Sequence, residues 1–310
     1  MAANVESMFF VGERNKPWHG LGACVEMAPT SKDALRMAGL DWEVLQKPIS
    51  TLEGEEIAGY RCNIRNTDRK VLGVVSDRYK VVQNREAFAF TDALLGDGVR
   101  YETAGSLQEG KRVWLLARLP REYIIAGERI SPYLVFTTSH DGSGAVKVAI
   151  TPVRVVCNNT LNLALDTASR SFSMMHTQSV QSKIEEAHDT LFKAEKYMDH
   201  LGIEFEKLRE KRVSDDDLRD YITELLPIDQ DATDIQVKNI NRQRADIRAR
   251  FFDAPDLRCV GKNAYRFINA VSDFATHSKP LRRTANYNEN LFMKTIDGNP
   301  LIDRAYAMVA

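Results

Sequence analysis

Two periodicities divide this chain. From Ile57 to Ile150 apolar and polar residues tend to alternate in short runs, which predicts strands; from Lys183 onward apolar residues recur every three or four positions, which predicts helices. "YRCNIRN" and "KVLGVVS" on either side of "TD" read as a first hairpin. "NREAFAFTDALLGDG" reads as a helix capped by Asn84, with Ala87, Phe88, Thr91, Leu94 and Leu95 inward and Gly96 at its end. "RYETAGSLQEGKRVWLLARL" supplies two strands around a glycine turn, and "PYLVFTTSHDGSGAVKVAI" two more.

The last of these runs contains Ser143 between two glycines, a pattern shared by nucleophile elbows and phosphate loops. Both need a helix directly after the loop. Here "AVKVAI" follows instead, with Val146, Val148 and Ile150 alternating, so "HDGSGA" reads as a hairpin turn. "VRVVCNN" then predicts a short strand and "TLNLALDTAS" a helix, with Asn158 or Asn159 as its cap.

Between Lys183 and Leu208 the apolar positions are Ile184, Ala187, Leu191, Ala194, Met198, Leu201, Phe205 and Leu208, at alternating spacings of three and four. That is a heptad seam on one long helix, whose partner could lie in the same chain or in another. "SDDDLRDYITELLP" reads as a short helix capped by Ser214 and stopped by Pro227. "DATDIQVKNINRQRADIRARFFDAP" and "NAYRFINAVSDFATHSKPLRR" read as two further helices. The first carries Lys238, Arg242, Arg244, Arg248 and Arg250.

The expected fold is therefore α+β: an antiparallel β-meander sheet with packed helices, then a helical C-terminal part with one long heptad-patterned helix. Residues 1–56 form an N-terminal segment, 57–170 the sheet domain and 171–310 the helical region.

Composition narrows the class. No stretch approaches the roughly 18 apolar residues of a membrane span, and the N-terminus lacks the pattern of a signal peptide, so a cytoplasmic protein is expected. Cys24, Cys62, Cys157 and Cys259 lie far apart, without metal spacing, and read as reduced core thiols. Net charge is −1, but unevenly spread: −4 over residues 1–56, +5 over 57–170, −8 over 171–237 and +6 over 238–310. This allows a polyanion site, or contacts between unlike surfaces of two subunits.

No enzyme signature survives inspection, and neither a metal nor a cofactor is expected. Cys157 with His140 and Asp141 has the residue types for nucleophilic catalysis but nothing that sets their geometry. No two histidines stand four apart. The better candidate is a basic sheet face for nucleic acid. Arg61, Arg65, Lys111, Arg112, Lys147 and Arg154 would hold backbone phosphates, and Trp114 would offer a stacking ring.

Two well-separated motifs, "KPWHGLGACV" at 16–25 and "SHDGSGAVKVAITPVRVVCNNTLNLAL" at 139–165, together with the later "NAYRFINAVSDFATH", resemble the phage/plasmid-like proteins built around a conserved domain of unknown function. The resemblance implies a mobile-element setting in a bacterial host and no established activity. At the level of topology alone the meander is also similar to that of single-strand annealing proteins of recombination, which act as oligomers. The function expected from both is binding or annealing of single-stranded nucleic acid by a homo-oligomer. The alternative is a non-enzymatic interaction or counter-defence factor acting through the heptad helix.

Overall fold

The computed structural model of the chain describes residues 5–11, 23–27, 29–96, 100–119, 122–125, 127–154, 159–160, 171–177, 180–278, 294 and 298–310. Trp18, His19, Cys157 and, beyond Thr160, the helix expected from "TLNLALDTAS" lie outside the described residues. In chain order the elements are β1 (Val5–Val11), β2 (Ala23–Val25), α1 (Ser31–Met37), β3 (Val44–Ser50), β4 (Glu56–Arg65), β5 (Val71–Ser76), α2 (Asn84–Leu95), β6 (Tyr101–Leu107) and β7 (Arg112–Arg118). They continue with β8 (Tyr123–Ile125), β9 (Glu128–Ser139), β10 (Val146–Arg154), β11 (Asn159–Thr160), β12 (Ser171–Met174), α3 (Ile184–Glu210), α4 (Asp215–Leu225), α5 (Asp234–Asp253), α6 (Ala264–His277) and α7 (Pro300–Val309).

The fold is α+β, as the two periodicities imply. The larger sheet runs β11-β10-β9-β7-β6-β1-β2, with β12 also beside β10 and β8 beside β9; the smaller is β3-β4-β5. Among the described strand pairs only β1 with β2 is parallel. The expected turn at "HDGSGA" joins β9 to β10, and the Asp141 carboxylate accepts from the Ser143 amide at 2.9 Å, closing it locally. Ser143 is thus a turn residue.

Four local expectations are corrected, the last of them, the cap of α2, with its helix below. The N-terminal residues do not stand apart, because β1 lies inside the larger sheet between β6 and β2. Gly105 permits this approach: a Cβ there would lie 2.4 Å from the Ser7 carbonyl oxygen. Asn159 and Thr160 do not open a helix but pair with Arg154 and Val153, along the edge of β10 that β12 leaves uncovered. Of the three described cysteines only Cys62 is buried; Cys24 and Cys259 are exposed.

Helices α1 and α2 cover one face of the larger sheet. The core there includes Phe9, Leu40, Phe90, Val113, Leu115, Leu134, Phe136 and Val148. Helix α2 carries a capping box between Gln83 and Glu86 and ends at Gly96, whose φ of 78° suits glycine. Asn84 is therefore not the cap; it is buried in the first turn with its amide turned inward. Met8, Phe10, Leu107, Trp114, Val135 and Ala149 form a smaller apolar cluster.

A separate helical core holds Tyr197, Met198, Leu201, Phe205 and Leu208 of α3 against residues of α4 to α7, with Ile125 and Ile130 from the sheet. The described half of the heptad seam is thus filled within the chain.

Candidate nucleic-acid interface

The seven residues expected on one basic face are not one surface. Arg65 is buried, because its guanidinium lies between Asp68 and Glu6, at 2.6 and 2.7 Å, and over the Trp42 ring at 5.3 Å. Those hydrogen bonds, Asp68 first, raise its pKa despite burial, and hold Asp68 well below the usual carboxylate range. It clamps β1 to β4 and is not offered to a ligand.

Trp114 is 1 % exposed. It is paired opposite Gly105 and packs in the cluster of Met8, Phe10 and Leu107, so it is a core residue and not a stacking platform. Arg61 belongs to the smaller sheet, 3.7 Å from Glu56. Arg154 stands seven residues from Lys147 on β10, about 23 Å along the strand, and its side chain is outside the described residues.

Three of the seven do come together. Lys147 pairs with Thr137, which pairs with Trp114, and Arg112 pairs with Ser139 on the same strand. Arg112 donates to the Ser143 hydroxyl at 3.3 Å, and Lys111 precedes it. This half-exposed cluster sits at the hairpin end of the sheet.

His140, a candidate for Cys/His chemistry, is fully buried at the joint between the two sheets. Its Nε2 lies 3.1 Å from Asn84 Oδ1, while Asn84 Nδ2 donates to the Leu40 carbonyl at 2.9 Å. Asn84 is thus oriented by its own donors, and the imidazole proton sits on Nε2. Burial, then the nearby His176, lowers the His140 pKa to about 3. Asn63 donates to the His140 carbonyl at 2.7 Å, and Tyr79 donates to the Ser139 carbonyl and stacks on His176 at 4.4 Å. A neutral imidazole so enclosed is a structural group.

A second concentration of positive charge lies in the helical part. The link between α3 and α4 is zipped to the link between α5 and α6: Val213 donates to the Lys262 carbonyl at 3.0 Å and Ala264 to the Lys211 carbonyl at 2.8 Å. Beside this zip opens a cavity of about 450 Å³ lined by Arg209, Arg212, Val213, Ser214, Gly261, Lys262 and Asn263.

Arg212 has no acidic partner within reach among the described residues, and Arg209 has only Glu206 at 3.9 Å. Lys262 pairs with Asp215 at 2.9 Å and lies 4.9 Å from the centre of the Phe252 ring, where Arg248 lies at the same distance. The other acids of the first turn of α4 are engaged locally. Asp216 pairs with Arg219 at 2.9 Å, and Asp217 accepts from the Ser214 amide at 2.9 Å. Three cations thus line the concavity, and Lys262 links it to Phe252 and Arg248. Such a set has the donors for charge-assisted hydrogen bonds to an anion.

The remaining basic residues of α5 are divided. Arg244 donates to the Leu226 and Thr223 carbonyls at the end of α4, and Arg250 is paired with Asp246 and Asp273; Lys238, Arg242 and Arg248 are exposed. Sequence reading found Arg248 through its basic helix but missed Arg209, Arg212 and Lys262. Arg209 lies at the end of α3 and Arg212 just beyond it, some fifty residues before Lys262, and only the pairing of Arg212 with Asn263 brings them together. Among the described residues no cluster of three or more histidine, cysteine or acidic side chains is placed to hold a metal ion.

Residues 71–294 match the model of a family described as a domain of unknown function, DUF932. The chain belongs to the DUF932 family. The DUF932 match takes in the hairpin at 139–146, α2 to α6 and the whole basic cavity, and leaves out β1 to β4. No curated protein and no solved structure matches the chain.

Proposed function

We propose that this DUF932 protein binds nucleic acid, single strands in particular, in a phage or plasmid setting. The observation that carries the reading is the cavity bordered by Arg209, Arg212 and Lys262, continued through Phe252 to Arg248. Guanidinium and ammonium groups at such a mouth suit the phosphate oxygens of a nucleic-acid backbone, and the preference for single strands rests on the topological similarity. The phage/plasmid setting rests on the two sequence motifs, and annealing rests on the loose topological similarity alone. The interaction-factor reading has lost ground, since the described half of its heptad seam is buried in the chain's own helical core.

The test is fluorescence anisotropy of nuclease-treated protein with labelled single- and double-stranded oligonucleotides over a salt series. Replacing Arg212 and Lys262 by Ala should weaken single-strand binding about tenfold or more and reduce the salt slope by about two. A parallel Lys111→Ala/Arg112→Ala variant reports on the hairpin cluster. If it alone loses binding, the interface lies on the sheet. No binding at low salt by any form of the protein rejects the reading.

A further inference from the structure

The smaller sheet has an inner and an outer face. Asn63 and Arg65 of β4, with Leu72 and Val75 of β5, point inward to the hairpin and the core. The alternate residues point outward: Tyr60, Cys62 and Ile64 on β4, Val71 and Val74 on β5, with Leu45 and Lys47 on β3. Tyr60 is 52 % exposed, Val71 54 % and Val74 53 %.

Beyond Tyr60 the β3–β4 hairpin continues past the end of β5 as a two-stranded arm. It is closed at its tip by Thr51 donating to the Glu55 carbonyl at 2.8 Å. Leu52 at the tip is fully exposed and Ile57 is 40 % exposed. Five of the eleven exposed large apolar side chains among the described residues thus lie on this one sheet. A two-stranded ribbon with apolar side chains in water on both faces is marginal by itself.

Its charges say what covers it. The arm tip carries Glu53 and Glu55, and the opposite end of the sheet, the β4–β5 turn, carries Arg69. Among the described residues none of the three has an ion-pair partner. Two copies stacked outer face to outer face, with strands running in opposite directions, would bring the acidic tip of each onto the basic turn of the other. The same apolar patch then serves both sides, as a two-fold interface requires.

We infer that the outer face of the three-stranded sheet and its arm are a homodimer interface, occupied by a second copy of this chain in antiparallel register. This concerns residues 45–76, away from the basic cavity, and holds or falls separately from nucleic-acid binding.

The test is the molar mass of the full chain in solution, by sedimentation or light scattering, over a concentration series. The native chain should approach twice its own mass. Val74→Lys and Tyr60→Lys each change an exposed outward side chain and should keep the melting temperature of the monomer, yet each should weaken association about tenfold or more. Arg69→Glu alone, and Glu53→Lys/Glu55→Lys alone, should weaken it as well. The chain carrying all three charge changes should associate again, because complementarity is restored. A monomer at the highest soluble concentration overturns the inference, and so does a dimer indifferent to both Val74→Lys and Tyr60→Lys. Failure of the triple exchange to restore association overturns the antiparallel register.

Discussion

Arginine illustrates how little residue type says about role. Arg65 and Arg212 look alike in sequence, each following a short run of mixed polarity, yet one is held between two carboxylates and the other faces a cavity. Arg266 is buried as well. Its guanidinium donates to the Phe251, Val260 and Phe252 carbonyls, satisfying the end of α5, and burial lowers its pKa. What separates these arginines is whether carboxylates or carbonyls converge on the fork, which depends on strands and helices far away in the chain. Replacing Arg65 by Ala should destabilise the protein by about 2 kcal/mol, a figure discounted because Glu6 and Asp68 are partly exposed, and should leave oligonucleotide binding unchanged. Urea unfolding and anisotropy on the same variant separate the two effects; a stable variant with lost binding would return Arg65 to the interface.

At the scale of single elements the sequence was more explicit. The 3–4 spacing from Ile184 to Leu208 is a physical property of one helix face, and α3 covers Ile184–Glu210. Its register was readable, but not the owner of the opposing side. In the structure Phe205 packs edge-on against Tyr265 of α6 at 5.0 Å, and Leu201 and Leu208 are buried in the same cluster. Phe205→Ala should therefore cost about 3–4 kcal/mol, with an unfolding midpoint that does not move with protein concentration. A midpoint that rises with concentration would mean that a second chain completes the seam. Capping was equally legible for α4, where Ser214 accepts from the Asp217 amide at 3.1 Å as the acidic first turn foretold.

For the whole molecule the joint between the two sheets matters most. It is made by the hairpin tip: Gly73 lies so close to Asp141 that a Cβ would sit 2.5 Å from its Cα. Two neutral histidines are built into this joint. Burial lowers the pKa of both His140 and His176, with Asp141 opposing the effect at the first and the Lys80 carbonyl at the second. For His140 the value falls from 6.5 to about 3, so between those limits the unfolded chain binds a proton that the folded chain excludes. Its contribution is complete above about pH 6.5 and is lost as pH falls, at about 1.4 kcal/mol per pH unit. Glu204 and Asp217, also lowered, add to the loss only below the ordinary carboxylate range. Denaturant unfolding at several values between pH 7 and 5 should show this slope, and His140→Gln should flatten it. An unchanged slope in that variant would assign the proton elsewhere.

The sequence by itself determined strands β4 to β7, β9 and β10, helices α2 to α6, the hairpin at "HDGSGA" and the heptad register, because each depends on the spacing of side chains along a local segment. Only the tertiary structure decided that β1 is an interior strand, that Trp114 and Arg65 are buried, and that Arg209, Arg212 and Lys262 share one cavity. A strand's outward and inward faces are fixed by period two, but which face meets solvent depends on what packs across it. Charges from separate connections meet only when those connections pair, and that pairing leaves no mark in either segment read alone.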